Sequence, residues 1–204
     1  MISIEKIVVF GGTFNPPHIG HLLLAQNALY ELNADKIVFM TAGNPPHKDS
    51  EVVIDKKHRH NMVKLLTKDN DAFVVSDMEI KSNAKSYTAD TLLKLKKIYK
   101  DAVVYFIIGL DSFYNIDKWY KPELIFERCI IAVSLRGGYN NDGFEEKSKY
   151  YKLKYDAKIV KIMMPEIEIS SSDIRKRVLE GKPIRYMTTE KVMKYIEKNN
   201  LYKE

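Results

Sequence analysis

Two histidines, His18 and His21, are the side chains of this 204-residue sequence whose types and spacing best suit chemistry on a phosphate group. They follow the pair Gly11-Gly12, where the lack of a Cβ lets a ligand approach the backbone closely. The apolar run 7–10 before them is typical of a buried strand, and apolar residues recur at helical spacing over 22–32. The pattern predicts a strand-to-helix turn whose free N–H groups attract an anion, with both histidines on one helix face.

The run 169–177, ISSSDIRKR, predicts a second phosphate site, where the chain is expected to end a strand and begin a helix. Hydroxyl groups at the helix start, the free N–H groups of its first turn and the guanidinium of Arg175 all suit an anion. Helix capping accounts for one serine of the three in a row. It does not account for all three, which makes Ser171 and Ser172 candidate ligands.

Three further polar segments follow predicted strands or open predicted helices, and each allows two interpretations. In NPPHK (44–48), His47 and Lys48 could meet an anion or form the exposed tip of an ordinary proline turn. In SYTADTL (86–92), the hydroxyls could cap a helix or hold a carboxylate or amide of a ligand. In GLDSFYNIDKW (109–119), Trp119 could be a core residue or could stack on a flat ring.

Apolar runs of strand composition alternate with helical patterns, which predicts an α/β fold with a Rossmann-like, doubly wound, mostly parallel sheet and helices on both faces. Two more helices, 172–180 and 189–198, form a small C-terminal extension packed on a single domain that spans 1–204. Ligands of open α/β sheets bind at the carboxyl ends of the strands, where these motifs fall. The predicted strands are 7–10, 37–40, 73–76, 103–108, 130–133 and 159–163, and the helices between them are 22–32, 56–67, 89–99, 122–127 and 144–151.

Composition narrows the classes of function. The formal net charge of +6 favours an anionic partner, but the lysines are scattered, without the basic and aromatic stripe that nucleic-acid binding would need. Cys129 is the only cysteine, so no intrachain disulfide is possible, which suits a reducing cytosol. No signal-peptide pattern or membrane-spanning apolar run is evident, so we expect a soluble, cytoplasmic protein that binds no membrane.

The tetrapeptide His18-Ile19-Gly20-His21 spells the HIGH signature within the string GGTFNPPHIGHL, which resembles the nucleotidyltransferase superfamily. Class I aminoacyl-tRNA synthetases share the short signature, but nothing here resembles their second, lysine-rich signature. The order of the five motifs resembles the bacterial nicotinate-nucleotide adenylyltransferase family from about residue 7 to the C-terminus. The chain departs from that family at Asn15, where many members have Asp, and at Arg136-Gly137-Gly138, which replaces the commoner Arg-Pro-Gly.

The resemblance implies an enzyme of NAD biosynthesis that transfers the adenylyl group of ATP to nicotinate mononucleotide and releases pyrophosphate. It implies direct in-line attack without a covalent intermediate, Mg²⁺ bound mainly through the ATP phosphates, and no dedicated metal ligands on the protein. It is compatible with a homo-oligomer. By resemblance the catalytic residues are His18 and His21; the ATP-binding residues are Gly11, Gly12, Thr13, Phe14, His18, His21, Gly109, Asp111, Ser171, Ser172 and Arg175; and the mononucleotide-binding residues are Asn15, His47, Lys48, Thr88, Trp119, Tyr120 and Arg136.

Two other functions stay open at this point. Another adenylyl or cytidylyl transferase, such as phosphopantetheine adenylyltransferase, shares the first and last motifs but lacks the pattern of Gly109, Asp111 and Trp119. A nucleotide-binding sensor without catalysis would keep the fold, but both histidines and the SSSDIR element are intact here. Turnover of phosphopantetheine would support the first function, and ATP binding without pyrophosphate release would support the second.

Overall fold

The apolar runs of the sequence form one six-stranded sheet in the computed structural model, which describes residues 5–44, 53–82, 85–136 and 143–203. The strands are β1 (Lys6–Gly12), β2 (Lys36–Thr41), β3 (Phe73–Ser76), β4 (Val103–Gly109), β5 (Ile130–Arg136) and β6 (Ile159–Met164). They lie in the order β3-β2-β1-β4-β5-β6, and every neighbouring pair is parallel. The predicted α/β, Rossmann-like fold class is confirmed, and the sheet is wholly parallel rather than mostly parallel.

Helices connect the strands and close the described part of the chain. They are α1 (Ile19–Glu31), α2 (Lys56–Thr67), α3 (Thr88–Ile98), α4 (Leu110–Asn115), α5 (Pro122–Arg128), α6 (Phe144–Tyr155), α7 (Ser171–Leu179) and α8 (Glu190–Lys198), with a 3₁₀ turn at Ile116–Lys118. Within the described residues, none of these helices has the length and apolar character needed to cross a bilayer.

The strand order reverses at β1, which pairs with β2 on one side and with β4 on the other. In open α/β sheets, the connections on either side of such a reversal diverge, and the crevice left at the carboxyl ends of the strands binds ligands. Here that crevice lies beyond Gly12, Thr41 and Gly109, the last residues of the three central strands. The glycine and histidine motif therefore begins at the topological switch point.

Side chains of the central strands are buried on both faces because helices cover both. Successive residues of a strand point to opposite faces, so Ile7 and Val9 pack in one core cluster and Val8 and Phe10 in the other. The first cluster holds residues of α3–α6, and the second holds residues of α1. Both faces exclude water, so strands 7–10 and 103–108 read as continuous apolar runs in the sequence.

The C-terminal helices pack on a third cluster, which joins them to α2. Met62 and Leu66 of α2 meet Ile174 of α7 and Val192 and Ile196 of α8 in this cluster. Leu201 and Tyr202, near the end of the described chain, belong to it as well. This packing brings the C-terminal part of the chain against the loop that precedes α1.

Most element positions agree with the sequence prediction to within two residues. Helix α6 runs to Tyr155, four residues past its predicted end, and β5 runs to Arg136, three residues past its predicted end. Three other differences concern where an element begins or whether it exists. Helix α1 begins at Ile19, three residues before the predicted 22, because the extended residue His18 is its N-cap and His21 Nδ1 accepts the N–H of His18. The six-residue α4 was not predicted, since so short a helix shows little periodicity among polar residues. The ISSSDIRKR segment does not end a strand as expected: β6 ends at Met164, and residues 165–170 separate it from α7.

Candidate active site

A cavity with a mixed polar and apolar lining opens where α1, α4 and α7 approach the carboxyl ends of β1 and β4, and we call it the histidine cavity. Its volume of about 640 Å³ is within the usual range for small-molecule sites. Asp111 is the only carboxylate among its lining residues in the described part of the chain. The cavity is lined by Phe10, His18, Gly20, His21, Leu24, Gly109, Leu110, Asp111, Tyr114, Ser134, Met164, Pro165, Ile167, Ile169, Ser170 and Ser171.

The two histidine rings lie against each other at the start of α1, as the spacing predicts. Their centroids are 3.7 Å apart and the planes are inclined by 34°. The backbone N–H of His18 donates a hydrogen bond to Nδ1 of His21 at 3.1 Å. Because Nδ1 accepts this bond, a neutral His21 ring carries its proton on Nε2, which can then donate to a ligand.

The charge of His21 is set by its surroundings. Burial holds the pKa of His21 well below its ordinary value of 6.5, and the adjacent His18 ring lowers it further. A backbone hydrogen bond with His18 acts in the opposite direction without cancelling the shift. The ring is therefore uncharged at neutral pH, so it can serve as a hydrogen-bond donor without adding a net charge.

The loop before α1 is held by side chains from the C-terminal third of the chain. The three consecutive carbonyl groups of 15–17 each accept one hydrogen bond from a side chain. The donors, in that order, are Arg175 Nη1 at 2.8 Å, Ser171 Oγ at 2.8 Å and Thr188 Oγ1 at 2.9 Å. The last residue before the helix, His18, therefore has little freedom to move.

This arrangement changes how the serine and arginine motif can act. Ser171 lines the histidine cavity, but its hydroxyl hydrogen is donated to the carbonyl of Pro16. A phosphate would thus meet the backbone N–H groups of the first turn of α7 rather than that hydroxyl. Ser172 and Arg175 line a neighbouring pocket with Leu201 and Tyr202, not the histidine cavity itself.

The side chain of Asn15, which was predicted to bind the mononucleotide, is buried inside the protein. Its Oδ1 accepts hydrogen bonds from Tyr202 Oη at 3.0 Å and from the backbone N–H of Ile54 at 3.4 Å. These contacts tie the loop to the C-terminal segment and to the start of α2. In this structure, the side-chain oxygen of Asn15 serves packing within the protein.

A second, apolar cavity lies on the other side of β1, and we call it the ring cavity. Its volume is about 180 Å³, close to the roughly 150 Å³ of a cavity known to accept benzene. Trp119 packs edge-on against Phe106, and the rings of Tyr87 and Tyr120 lie 4.5 Å apart. The cavity is lined by Val9, Gly11, Gly12, Met40, Ala42, Glu79, Ser86, Tyr87, Thr88, Thr91, Leu92, Phe106, Trp119, Tyr120 and Ile125.

The two glycines of β1 differ in whether the fold has room for a side chain. A Cβ on Gly12 would lie 2.8 Å from the ring of Phe14, so packing of the protein itself excludes a side chain there. A Cβ on Gly11 would meet Phe106 at 3.4 Å, an ordinary contact that the fold accepts. The packing of the protein does not require glycine at position 11. The absence of a side chain at Gly11 instead leaves space in the ring cavity.

Arg59 on α2 was missed by the sequence analysis, and it joins the loop before α1 to the segment after β2. Its guanidinium is fully buried and donates to the carbonyls of Thr13, Ala42, Gly43 and Ile54 at 2.7–3.2 Å. Burial lowers the pKa of Arg59 from its ordinary value. The charged run around it, KKHRHN, is typical of an exposed helix face, so no local signal marks the buried position.

The structure thus sorts the predicted site residues into groups. His18, His21, Gly109, Asp111 and Ser171 meet in the histidine cavity. Gly11, Gly12, Thr88, Trp119 and Tyr120 meet in the ring cavity.

Several predicted residues lie in neither cavity. Phe14 is buried against Phe10 and His21, and the carbonyl of Thr13 contacts Arg59. His47 and Lys48 lie outside the described residues, and Arg136 ends β5 with its side chain outside the description. The described parts of the chain hold no group of three His, Cys, Asp or Glu residues placed to bind a metal ion.

Comparisons with known proteins find similar sequences and a similar structure. The family model of the cytidylyltransferase-like proteins matches residues 9–177. A protein of Lachnoclostridium phytofermentans named probable nicotinate-nucleotide adenylyltransferase is 40% identical over 97% of this chain and 99% of its own length. One of the same name from Caldicellulosiruptor bescii is 44% identical over 97% and 99%.

A solved structure shares the fold across the whole chain. It is nicotinic acid mononucleotide adenylyltransferase of Plasmodium falciparum complexed with NaAD, which is 23% identical to this chain. The TM-score is 0.78, and the alignment covers 97% of each chain.

Proposed function

This chain belongs to the nicotinate-nucleotide adenylyltransferases of the cytidylyltransferase-like family, and we propose that it transfers the adenylyl group of ATP to nicotinate mononucleotide. The products are deamido-NAD (nicotinate adenine dinucleotide) and pyrophosphate, a step of NAD biosynthesis. The observation that carries the proposal is the pair of unlike cavities at the end of β1. Phe10 lines the histidine cavity, and the next two residues, Gly11 and Gly12, line the ring cavity. Such neighbours suit the joining of two nucleotides.

The proposed reaction does not need a strong general base. The second phosphate pKa of a monoester is near 6, so the attacking oxygen of the mononucleotide is ionised at neutral pH. That oxygen forms a bond to the α-phosphorus of ATP while the bond to the bridging oxygen of pyrophosphate breaks, with attack and departure in line. Catalysis then consists of positioning and charge stabilisation, with no covalent intermediate.

His18 and His21 would stabilise the negative charge that develops on the departing pyrophosphate. The Nε2–H of a neutral His21 can donate to a phosphate oxygen, and this bond strengthens as the charge grows. The backbone N–H groups at the start of α7 would receive the terminal phosphates. Gly109 and Asp111, at the N-terminus of α4, would lie beside the ATP.

The ring cavity would receive the nicotinate ring against Trp119. Thr88 is the first residue of α3, so its hydroxyl and the N–H groups of that turn could bind the ring carboxylate. Backbone near Tyr120 would complete this contact. We retain His47, Lys48 and Arg136 as proposed contacts of the mononucleotide phosphate.

Mg²⁺ fits this site as an ion held mainly by the substrate. Mg²⁺ is usually bound by phosphate oxygens, water and one or two carboxylates, and Asp111 supplies a carboxylate in the histidine cavity. When bound, the ion would neutralise phosphate charge. The protein residues would then orient the triphosphate and donate hydrogen bonds to it.

The test is pyrophosphate release with ATP and Mg²⁺, in which nicotinate mononucleotide, nicotinamide mononucleotide and phosphopantetheine are compared as acceptors. We expect a strong preference for nicotinate mononucleotide. Activity with phosphopantetheine alone would overturn the proposed acceptor and keep the ATP half of the site. ATP binding without any pyrophosphate release would indicate a nucleotide sensor instead of an enzyme.

A further inference from the structure

One peptide group before α1 is hydrogen-bonded at both ends. The carbonyl of Pro17 accepts the hydroxyl hydrogen of Thr188 at 2.9 Å. The N–H of the same peptide belongs to His18, and it donates to Nδ1 of His21 at 3.1 Å. A continuous chain of hydrogen bonds therefore runs from Thr188 through one peptide plane to the ring of His21.

Thr188 is placed to hold that peptide firmly. Its residue is only 3% exposed, so water has little access to compete for the bond to Pro17. The preceding residue, Met187, accepts a hydrogen bond from the backbone N–H of Ile19 at 2.9 Å. Two adjacent residues from the segment before α8 thus contact the backbone on both sides of His18.

The physical consequence follows from the rigidity of the peptide bond. Because the group is planar, fixing the direction of its carbonyl also fixes the direction of its N–H. A carbonyl that accepts a hydrogen bond also polarises the amide, which strengthens the bond donated by the N–H. Thr188 therefore both aims and strengthens the bond to Nδ1 of His21.

We propose that Thr188 is a positioning residue for His21: through the Pro17–His18 peptide, it holds the ring with its proton on Nε2, facing the departing phosphate. This inference rests on the proposed function for its catalytic consequence. The hydrogen-bond chain itself is a property of the protein without substrate. Partners of metal-binding histidines act in the same way, by fixing the tautomer and orientation of the ring.

The first experiment compares two variants of Thr188 with the wild type. Thr188→Val keeps the shape and removes the hydroxyl, whereas Thr188→Ser keeps the hydroxyl and removes a methyl group. We expect Thr188→Val to lower kcat about three- to tenfold, the loss of one hydrogen bond, with KM for both substrates within about twofold. Thr188→Ser should restore kcat to near the wild-type value.

A matched control tests the structural alternative. The adjacent Thr189 caps α8 by accepting the N–H of Val192, and it makes no contact with Pro17 in the hydrogen-bond pattern. Thr189→Val should lower the melting temperature through the loss of that cap, with kcat of the folded enzyme preserved. If Thr188→Val and Thr189→Val reduce kcat equally, Thr188 has only a structural role and the proposal fails.

The second experiment reads the ring of His21 directly in the protein without substrate. ¹H–¹⁵N spectra of the five histidine rings would show the Nε2–H tautomer at His21, assigned by its absence in His21→Ala. Thr188→Val should increase the Nδ1–H form, and Thr188→Ser should not. A loss of kcat with an unchanged ring spectrum overturns the proposal, and so does a changed spectrum with unchanged kcat.

The two proposals can fail separately. If the wild type makes no dinucleotide from nicotinate mononucleotide, the proposed function fails while the ring spectra still test the hydrogen-bond chain. If the wild type is active and Thr188→Val matches it in kcat and spectrum, only the role of Thr188 fails.

Discussion

The histidine cavity depends on hydrogen bonds from distant residues, whereas the ring cavity depends on aromatic side chains packed on one another. The donors to the loop of 15–17 come from residues 155 to 171 positions later in the chain. The walls of the ring cavity include Phe106, Trp119 and the rings of Tyr87 and Tyr120. Both cavities nevertheless start from the same strand, β1.

The difference reflects what each cavity would have to recognise. Charge that develops during a reaction is stabilised best by donors that are already oriented, so the loop carrying the histidines must be rigid. A flat ring is recognised by shape and apolar surface, with a few polar groups that fix its orientation. Substitutions in the histidine cavity should therefore change kcat, and those in the ring cavity should change KM for the mononucleotide.

Removal of a histidine donor is the strongest test of this difference between the two cavities. We expect His21→Ala to lower kcat about 10²- to 10³-fold and to change KM for the mononucleotide far less. Steady-state kinetics with both substrates measures this. His58→Ala is the matched control, because His58 contacts Tyr195 on α8 and lies outside both cavities. An effect of His21→Ala confined to KM would refute its role in the transition state.

Substitution of Arg59 should affect both kcat and KM, because its guanidinium contacts both the loop before α1 and the segment after β2. Arg59→Met leaves four carbonyl oxygens without their buried donor, and we expect a loss of about 3 kcal/mol in the free energy of unfolding. Both kcat and KM should worsen in the folded fraction. Denaturant unfolding and kinetics measure the two effects. Arg177→Met, which breaks only a surface pair with Asp173, should change the free energy of unfolding by less than about 1 kcal/mol.

Trp119 tests the other side of the comparison. Trp119→Ala should raise KM for the mononucleotide about tenfold to a hundredfold, since stacking of an aromatic side chain on a base contributes about 1–3 kcal/mol. The affinity for ATP, measured by calorimetry, should stay within about twofold. Trp119→Phe, which keeps an aromatic face, should lie between the two. Weakened ATP binding in Trp119→Ala would show that the ring cavity receives adenine instead.

Acid should lower the free energy of unfolding, because buried histidines inside and outside the site must be protonated. Burial lowers the pKa of His60, as it does that of His21, and no ring nitrogen of His60 has a hydrogen-bond partner among the described residues. The unfolded chain binds protons near pH 6.5 before the folded chain does, so stability is full above that pH and falls below it.

The matching measurement is the melting temperature between pH 8 and pH 5. His60→Leu should flatten the decline below pH 6.5, by at most about 1.4 kcal/mol of unfolding free energy per pH unit. Parallel curves for wild type and His60→Leu would show that His60 does not contribute. Activity at neutral pH should be unchanged, since His60 lines neither cavity.

Much of the architecture was predictable because it follows from local sequence patterns. The strand at Phe73–Ser76 and the helix at Lys56–Thr67 lie where their periodicity predicts. The HIGH signature also placed the two histidines correctly at the start of a helix. These features depend on neighbours in the sequence, so they can be read from it.

The contacts of Asn15, Arg59 and Thr188 were not predictable, because each joins residues far apart in the chain. Asn15 meets Tyr202, which is 187 positions later, and Arg59 meets Thr13, which is 46 positions earlier. A buried arginine in a charged helical run has the same local signature as an exposed one. Only the packing of α2, α7 and α8 decides which of these polar groups turns inward.

The sequence by itself therefore determined the parallel α/β fold, the strand ends that form the site and the residue types available for phosphate chemistry. The tertiary structure alone decided that Ser171 and Thr188 donate to carbonyls of the loop 15–17. It also decided that Ser172 and Arg175 face a neighbouring pocket and that Gly11 borders the ring cavity. The reason is physical: periodicity and motifs report local energetics, whereas the direction of a hydroxyl or guanidinium depends on which distant carbonyl the fold brings within hydrogen-bond distance.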